Sequence, residues 1–315
     1  MIYTVTLNPA IDKTIEIPGF SVGAVNRGLS IREDAGGKGI NVSKCLKALG
    51  MESVAVAILA GETGDRLAQL LEQEGLTVLA VESSGQTRTN LKIVDREAGQ
   101  NTDINEPGPE VKSATLRQLL IRLCQRIRPG DVVVLSGSLP KGAATDTYRV
   151  WTERFRELGA RVILDADGAS LKEGVQALPE VIKPNEAELT RLVGRSLETQ
   201  GQIIGAGREL LAKGIQQVVV SLGKDGALFL SKDGFYQAKS LPVSVGSTVG
   251  AGDAVVAAIA YGMEKELPPQ EQIQLAMAMG AASVMVSGTQ APDIKTVFQL
   301  MEQVEYTKLV KKTTG

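Results

Sequence analysis

Two glycines, an acid and a run of small apolar residues follow one another at Ser247–Val255 (STVGAGDAV). Glycines just before a helix leave backbone N–H groups open and let an anion approach closely. At the start of such a helix, Asp253 is placed to accept a hydrogen bond from an incoming hydroxyl. The helix dipole is expected to depress the pKa of this carboxyl and make it a weak base. That chemistry suits phosphoryl transfer, which needs alignment and charge stabilisation more than deprotonation. A glycine turn with an aspartate that caps a structural helix is an equally open interpretation.

A second glycine-rich segment, Ala35–Asn41 (AGGKGIN), leads into an apolar helix. The glycines allow the backbone to approach a ligand closely, and Lys38 puts a cation among them. The segment is not a Walker A loop, because Gly39 follows the lysine where that motif has Ser or Thr. A surface turn with a solvated lysine is the alternative interpretation.

Polar residues also follow the first predicted strand, within Thr6–Asp12 (TLNPAID). Open α/β folds bind ligands just beyond the carboxyl ends of their strands, so Asp12 is a candidate ligand contact. Asn-Pro is also an ordinary turn dipeptide, which leaves turn chemistry as the alternative. Arg88 and Asn90, in TRTNLKI, lie on a later strand, where Arg88 is either a ligand contact or a solvated side chain.

The segment Lys183–Glu188 (KPNEAE) opens a predicted helix after the short strand Val181–Ile182. Asn185 and Glu188 are three residues apart and share one helical face, which suits contact with hydrated Mg²⁺. The same two residues also fit a helix cap, with Glu188 at the third helical position. Both interpretations are open on the sequence alone.

Most of the chain alternates short apolar strands with amphipathic helices. The predicted strands include Ser53–Ala60, Asp131–Ser136, Arg161–Asp165 and Gln217–Leu222. The predicted helices include Asp65–Glu74, which Gly75 ends, and Ser113–Ile127, for which Ser113 is a candidate N-cap. Apolar strands that alternate with helices predict an α/β fold with a mostly parallel sheet covered on both faces.

Two segments interrupt this alternation, Ile11–Glu33 and Arg88–Asn105. Neither contains a helix long enough to cover a sheet, so together they are expected to form a small accessory sheet that projects from the core. Later in the chain, Ser231–Gly234 (SKDG) lies between two apolar runs and predicts a hairpin.

The composition removes several classes of chemistry. The 315 residues contain no histidine, which excludes Ser-His-Asp and Cys-His nucleophile systems, histidine bases and histidine-ligated metals. Lys and Arg total 34 against 36 Asp and Glu, so charge-driven binding of nucleic acid is not expected. Cys45 and Cys124 lie among apolar neighbours and are expected to be small buried hydrophobic residues. No apolar run approaches roughly 18 residues and the N-terminus lacks signal-peptide features, so a cytoplasmic protein without membrane contact is expected.

Six segments, taken together and in this order, resemble the PfkB carbohydrate kinases of the ribokinase-like superfamily. They are AGGKGIN, TRTNLKI, SGSLPKG (Ser136–Gly142), IKPNEAEL (Ile182–Leu189), VVSLGKDGA (Val219–Ala227) and STVGAGDA, the last being the most specific signature of that family. The resemblance implies one ribokinase-like domain over residues 1–315, a three-layer α/β/α sandwich with a mostly parallel central sheet. It also implies a small β lid from two insertions, at about 11–33 and 88–106, that closes on substrate and pairs two subunits as a homodimer.

The resemblance further implies a role for each matching residue. Asp253 would take the proton from the acceptor hydroxyl, with Gly250, Ala251 and Gly252 as an anion hole for the transferring phosphoryl group. The residues implied in ATP binding are Lys183, Asn185, Ser221, Gly223, Gly226 and Thr248. Asn185 and Glu188 match the family's NxxE motif, which acts on Mg²⁺ indirectly, through water. The residues implied in sugar binding are Asp12, Gly37, Lys38, Asn41, Arg88, Asn90 and Ser138, with Lys38 and Arg88 on the phosphate that the substrate already carries.

Within the family, Lys38 and Arg88 favour the sugar-phosphate branch, since neutral sugars and nucleosides need no such phosphate clamp. The implied reaction is ATP-dependent phosphorylation of fructose 1-phosphate at its 6-hydroxyl, which yields fructose 1,6-bisphosphate and ADP. Tagatose 6-phosphate is the alternative substrate, because it also has a phosphate at one end of a ketofuranose and a hydroxymethyl group at the other. Fructose 6-phosphate is disfavoured, since Thr102–Asn105 (TDIN) carries an acid where that branch carries a base.

Two other function classes compete with a kinase. A non-catalytic sugar-phosphate sensor on the same fold is expected to lose the base, whereas Asp253 is present. A NAD-dependent dehydrogenase fits the strand–helix alternation but needs an early GxGxxG and an acidic ribose contact, which the sequence lacks. Ala254 stands where many relatives have Ser, and this difference is expected to be tolerated because Asp253 and the backbone carry the chemistry.

Overall fold

Short apolar runs form the central strands of this protein, more polar segments such as Gln100–Asn105 form others, and helices lie between many of them. The computed structural model describes residues 1–244, 246–286 and 288–309. In chain order the strands are β1 (Ile2–Thr6), β2 (Ala10–Ile17), β3 (Ser30–Gly36), β4 (Ser53–Ala60), β5 (Thr77–Ser83), β6 (Arg88–Asp95), β7 (Gln100–Asn105), β8 (Val132–Ser136), β9 (Arg161–Asp165), β10 (Val181–Ile182), β11 (Gln217–Ser221), β12 (Ala227–Ser231), β13 (Phe235–Ala238) and β14 (Tyr306–Leu309). The helices are α1 (Lys38–Ala48), α2 (Gly61–Gln73), α3 (Ser113–Cys124), α4 (Thr147–Glu157), α5 (Gly168–Gly174), α6 (Glu186–Val193), α7 (Gln200–Lys213), α8 (Ala251–Glu264), α9 (Pro269–Met285) and α10 (Ile294–Met301).

A large sheet forms the centre of the molecule. Within the described ranges its strand order is β14-β13-β12-β11-β10-β9-β8-β1-β4-β5. The strands from β11 to β5 are parallel, and the three edge strands β12, β13 and β14 are antiparallel. The prediction of a mostly parallel sheet is confirmed, and the antiparallel edge includes the predicted SKDG hairpin between β12 and β13.

Helices cover both faces of the large sheet, because successive strand residues point to opposite sides. Val133 and Leu135 of β8 pack in one apolar cluster with residues of α3 to α7. Val132 and Val134 pack in a second cluster with residues of α1, α8, α9 and α10. The predicted three-layer α/β/α sandwich is therefore confirmed.

A second, four-stranded sheet contains the two segments that interrupt the strand–helix alternation. Its strand order is β3-β2-β6-β7, with β2 and β6 parallel and the outer pairs antiparallel. One face carries cross-strand rows of polar side chains, the first formed by Asp34, Asp12, Asn90 and Asn105 in strand order. We call these four strands the small sheet. Gly36 and Gly37 join it directly to α1.

Two helix ends test the local predictions. Gly75 follows α2 with a φ of +62°, in the left-handed region that glycine favours, so it ends this helix as predicted. The N-cap prediction for Ser113 is wrong: Lys112 is the extended residue before α3, and Ser113 is already helical with no capping hydrogen bond. The same helix ends at Cys124, three residues before the predicted Ile127.

Burial of the cysteines differs from the prediction in one case. Cys45 is buried within α1, as predicted, whereas Cys124 is only half-buried at the end of α3. Over the described ranges, no helix has the length and apolar character needed to cross a bilayer.

Candidate active site

A cleft of about 970 Å³ lies at the carboxyl ends of the parallel strands, beside the polar face of the small sheet. Parallel α/β sheets place ligand sites at this edge, because the loops that follow the strands converge there. The cleft brings together nearly all of the site residues named from the sequence: Asp12, Gly37, Lys38, Asn41, Arg88, Asn90, Lys183, Asn185, Glu188, Ser221, Gly223, Gly226, Thr248, Gly250, Ala251, Gly252 and Asp253. Ser138 lies instead in a neighbouring pocket of about 160 Å³, which Lys38 and Arg88 also line.

The start of α8 presents free backbone amides to the cleft. Gly250 precedes the helix with a φ of +87°, a conformation that strains any residue with a side chain. The first backbone hydrogen bond of the helix runs from the Ala254 N–H to the Gly250 carbonyl, at 2.9 Å. The N–H groups of Ala251, Gly252 and Asp253 come before that bond and have no partner within the helix. This arrangement suits an anion.

Asp253 lies in the first turn of α8 and is only 6% exposed. The Asn41 Nδ2 donates a hydrogen bond to its Oδ2 at 2.8 Å. Burial and, to a smaller extent, the nearby Asp165 carboxylate raise the pKa of Asp253 to about 7, although Lys38, Asn41 and Lys183 each act to lower it. The expected depression of this pKa by the helix dipole is therefore wrong, since loss of water outweighs the dipole at this depth.

Asp165, at the end of β9, is a site residue that the sequence analysis missed. This residue is 2% exposed. Its carboxylate forms ion pairs with Lys38 Nζ and Lys183 Nζ, each at 3.3 Å. Ser136 Oγ also donates to it at 3.3 Å. Burial favours a raised pKa for Asp165, but the two ammonium groups hold the pKa below its ordinary value. An acid at the carboxyl end of the predicted strand RVILD was the available signal, since ligand sites lie beyond such strand ends. Asp12, by contrast, was expected beyond the end of the first strand and lies instead within β2.

Lys38 and Lys183 both form an ion pair with Asp165. The pKa of Lys38 is raised, chiefly by the Asp165 carboxylate. Lys183 is buried, and its Nζ would lie 3.2 Å from a Cβ added at Gly252. A positive charge therefore stands beside the free amides of α8.

Arg88 links the small sheet to the loop after β1. Its guanidinium donates to the Asn8 carbonyl and to the Glu106 carbonyl, each at 3.0 Å. The side chain lines both the main cleft and the small pocket. Arg88 and Lys38 thus put two positive charges on the wall of the same small pocket.

Asp12 is the centre of the polar face of the small sheet. Its carboxylate accepts from Asn90 Nδ2 at 2.9 Å and from Thr289 Oγ1 at 3.4 Å. Burial raises the pKa of Asp12. A Cβ at Gly36 would lie 2.3 Å from the Asp12 Oδ2, so this position must lack a side chain. Thr289, in the loop after α9, was not singled out from the sequence because no motif surrounds it.

Asn185 and Glu188 form a complete capping box at the start of α6. Asn185 Oδ1 accepts from the Glu188 N–H at 2.8 Å, and Glu188 Oε2 accepts from the Asn185 N–H at 2.9 Å. The capping interpretation is therefore correct for the fold. Both residues also line the cleft, and the second carboxylate oxygen of Glu188 takes no part in the cap.

Part of the cleft lining is apolar. Ser221, Gly223, Gly226 and Thr248 line the cleft together with the apolar side chains of Leu241, Pro242, Val243, Val249, Val255, Met277, Ala281 and Val284. A Cβ at Gly226, whose φ is +93°, would lie 2.0 Å from the Ala238 carbonyl oxygen. Apolar side chains beside a few polar groups are typical of small-molecule binding sites.

The donor set argues against a metal held by protein groups alone. Within the described ranges, no group of three or more Asp, Glu, Cys or His side chains is placed to bind a metal ion. A divalent cation in this cleft would need phosphate oxygens and water as its main ligands.

Comparison with known proteins agrees with this geometry. The sequence pattern of the pfkB family carbohydrate kinases matches residues 5–296. A curated 1-phosphofructokinase of Xanthomonas campestris pv. campestris is 40% identical over 273 residues, which cover 85% of this chain and 86% of the relative. A 1-phosphofructokinase of Bacillus subtilis is 35% identical over 311 residues, which cover 98% of this chain and 100% of the relative.

Solved structures match as well. The Escherichia coli phosphofructokinase-2 in complex with fructose-6-phosphate superposes with a TM-score of 0.90 at 29% identity, covering 96% of this chain and 98% of that chain. A tetrameric inhibited form of the same Escherichia coli protein matches with the same TM-score and coverage, at 30% identity. Because the family pattern spans almost the whole chain and its motifs converge on one cleft, this protein belongs to the pfkB family of carbohydrate kinases.

Proposed function

We propose that this kinase transfers the γ-phosphoryl group of ATP to the 6-hydroxyl of fructose 1-phosphate and releases fructose 1,6-bisphosphate and ADP. The observation that carries the proposal is the placement of a buried carboxylate, Asp253, in a cleft whose neighbouring pocket has two cations, Lys38 and Arg88. A substrate with a phosphate at one end and a hydroxymethyl group at the other can contact both. Curated relatives named 1-phosphofructokinase support this choice of sugar phosphate.

In the proposed mechanism, Asp253 accepts the proton of the attacking hydroxyl. A pKa of about 7 suits this task, because such a carboxyl is partly ionised near neutral pH and is a stronger base than an ordinary aspartate. The free amides of Ala251, Gly252 and Asp253 stabilise negative charge on the transferring phosphoryl group. Lys183, beside Gly252, adds a positive charge at the same place.

The nucleotide is proposed to lie along the apolar part of the cleft lining. The adenine ring would pack among Leu241, Val243 and Met277, and the phosphates would approach Ser221 and Gly223 on the way to α8. Mg²⁺ would arrive bound to ATP, and Glu188 would contact it through water with the carboxylate oxygen that the helix cap leaves unused. The cation supplies charge neutralisation on the phosphates, and this chain orients the groups around it.

The phosphate of the substrate is proposed to occupy the pocket of about 160 Å³ beside Ser138. Its volume suits a phosphate group, and its two cationic walls suit the charge. Asp12 and Asn90, on the small sheet, would hold the sugar hydroxyls. The small sheet would then act as the lid of the site, and the remainder of the chain as one kinase domain.

We further propose that two copies form a homodimer through the small sheet. The loop between β2 and β3 exposes apolar side chains, among them Val22 at 92% and Val25 at 83%. Leu29, Ile31 and Ile104 are also exposed nearby. Apolar side chains grouped on a projecting sheet favour a protein partner. Because ATP and sugar phosphates are highly charged and are retained inside cells, we place the activity in the cytoplasm.

One competing substrate has a specific observation in its favour. The Escherichia coli structure at a TM-score of 0.90 holds fructose-6-phosphate. Against this substrate, Asp103 of the small sheet forms an ion pair with Lys92 at 3.2 Å on the cleft wall, and so neutralises a cation that a phosphate could otherwise use. Tagatose 6-phosphate is not favoured, since the curated relatives described above are named for fructose phosphates.

The deciding measurement is ADP release from MgATP with fructose 1-phosphate, tagatose 6-phosphate or fructose 6-phosphate at matched concentrations. We expect the highest kcat/KM with fructose 1-phosphate. If one of the other two sugar phosphates gives the highest kcat/KM, the proposed mechanism stands and that sugar phosphate is the substrate. An absence of turnover with all three would overturn the proposed activity.

A further inference from the structure

The turn after β8, Ser136–Gly137–Ser138, forms part of the small pocket beside Lys38 and Arg88. Gly137 has a φ of +95°, and its N–H donates to the Asp165 carbonyl at 3.0 Å. A Cβ at Gly137 would lie 3.6 Å from the Lys38 Cβ, so the stem of Lys38 packs directly over this residue. The position of this turn therefore affects both the pocket and the lysine.

One buried side chain holds the turn from the opposite side. Tyr148, in the first turn of α4, is fully buried. Its hydroxyl donates to the Gly137 carbonyl at 3.1 Å and lies 3.4 Å from the Ser136 carbonyl. Burial raises the pKa of this hydroxyl, so it remains a protonated donor at all physiological pH values.

The hydrogen bond fixes the direction of one peptide group. The Gly137–Ser138 peptide is trans and planar, so its carbonyl oxygen and its N–H point in opposite directions. With the carbonyl held toward Tyr148 and the core, the Ser138 N–H points the other way. In the part of the chain that the structure describes, no group accepts a hydrogen bond from this N–H.

We propose that Tyr148 is a positioning residue for the acceptor substrate, and that it orients the Ser138 amide as a hydrogen-bond donor to the substrate's phosphate. The inference rests on the proposed function, since it requires a phosphorylated sugar in the small pocket. Tyr148 touches no substrate. It acts by holding the Gly137–Ser138 peptide in one of its two orientations, while Gly137 supplies the positive φ that this orientation needs.

The test compares Tyr148→Phe with a matched variant, Tyr3→Phe. Tyr3 is also a buried tyrosine of the core, and its hydroxyl also donates to a carbonyl, that of Arg126 at 3.3 Å, away from the cleft. We expect Tyr148→Phe to raise the KM for the sugar phosphate about three- to tenfold, the usual effect of one lost hydrogen bond. The KM for ATP and the kcat should change less than twofold, and Tyr3→Phe should leave all three constants unchanged.

A second variant and a binding measurement keep the inference testable if Tyr148→Phe folds poorly. Gly137→Ala disfavours the same backbone conformation, so it should show the same selective rise in the sugar-phosphate KM. Equal KM values for Tyr148→Phe, Tyr3→Phe and the unaltered protein would overturn the positioning role. If the unaltered protein phosphorylates none of the three sugars, the proposed function fails instead. The role of Tyr148 is then tested by calorimetric binding of fructose 1-phosphate and of inorganic phosphate. Weaker binding by Tyr148→Phe, with unchanged binding by Tyr3→Phe, would support the role. Equal binding by all three proteins would overturn it.

Discussion

Asp253 has a pKa set by opposing forces from a few neighbours. Burial and the Asp165 carboxylate disfavour its ionised form, whereas the Asn41 amide and the Lys38 ammonium favour it. The balance leaves a pKa of about 7. A base with this pKa is most effective close to neutral pH, because it is both ionised and a good proton acceptor there.

The pH dependence of activity should report this carboxyl. We expect kcat/KM for the sugar phosphate to fall tenfold per pH unit below about 7, because the protonated carboxyl cannot accept the proton of the hydroxyl. In Asn41→Ala the acidic limb should move to higher pH, since the ionised form loses a hydrogen bond. If the acidic limb instead reported ionisation of the substrate's own phosphate, its apparent pKa would be the same in Asn41→Ala as in the unaltered protein. A kcat/KM that is flat down to pH 5.5 would contradict the assignment of Asp253 as base.

The same burial predicts a gain in stability when the charge is removed. From the ordinary pKa of 3.8 up to about 7, the folded protein keeps a proton on Asp253 that the unfolded chain has lost. Stability therefore falls as pH rises through this window, and the full cost is present above it. Asp253→Asn should lower kcat by about 10²- to 10⁴-fold and raise the Tm at pH 8.

Asp165→Asn is the matched control for that variant. Asp165 has a lowered pKa and two lysine partners, so its loss leaves the buried Lys183 and the partly exposed Lys38 unpaired and should lower the Tm at pH 8. A lower Tm for Asp253→Asn than for the unaltered protein at pH 8 would show that the carboxylate of Asp253 stabilises the fold.

At the scale of elements, the start of α6 combines a helix cap with the proposed contact of Glu188 to hydrated Mg²⁺. The capping box stabilises the helix and at the same time orients Glu188 along the cleft. A second capping box, formed by Thr199 and Gln202 at the start of α7, has the same geometry. These two helices allow the effect of the cap to be separated from the effect of the charge.

Glu188→Gln should separate the two tasks of that residue. Glutamine at this position still completes a capping box, so the Tm should stay within a few degrees of the original. Loss of the charge should raise the Mg²⁺ concentration for half-maximal activity several-fold, measured at fixed total ATP. Gln202→Ala, which removes the glutamine half of the capping box on α7 and leaves Thr199 as its N-cap, should leave the Mg²⁺ dependence unchanged. An unchanged Mg²⁺ dependence in Glu188→Gln would restrict Glu188 to helix capping.

The sequence predicted those parts of the fold and site that are encoded locally. Apolar runs predicted the bounds of β4, β8 and β9 to within one residue. A strand that is buried on both faces is a near-continuous apolar run, so its own sequence shows where it begins and ends. The glycine motifs at Gly37 and Gly250 also identified two helix starts. That these separate motifs meet in one cleft could be predicted only from the family resemblance. The cleft forms where strands that are distant in the chain pair with one another, and no local pattern shows such pairing.

Other features depended on tertiary context. Asp165 gains its importance from Lys38 and Lys183, which lie on other elements, and no local pattern reports such a cluster. The pKa of Asp253 was predicted in the wrong direction because the helix dipole is visible in a sequence and burial is not. Ser113 failed as a cap because Lys112 adopts the extended conformation before α3.

On the scale of the whole molecule, the two sheets divide the site between them. The large sheet and its helices carry Asp253, Lys38 and Lys183, and the small sheet carries Asp12 and Asn90. The small sheet also has the exposed apolar side chains proposed to contact a second copy, including Ile31 at 62%. The proposed dimer contact and the proposed acceptor binding therefore involve the same four strands.

The oligomeric state should respond to charge on this surface. We expect the double variant Leu29→Glu and Ile31→Glu to sediment as a monomer, because two carboxylates cannot be buried in an apolar interface without a large cost. Phe298→Glu is the control, since Phe298 is exposed at 57% on α10, away from the small sheet. Analytical ultracentrifugation measures all three proteins at equal concentration. A dimer that survives the double variant, or a monomeric unaltered protein, would contradict the proposed interface.

Division of the site between two sheets also bears on how such an enzyme diversifies. Side chains on β2, β6 and β7 can change without altering the first turn of α8, because α8 packs on the large sheet and not on these strands. Mutations can thus alter which hydroxyl compound is accepted while the groups that handle the transferred phosphoryl are inherited unchanged. A kinase with this architecture can therefore change its acceptor substrate through substitutions in the small sheet alone.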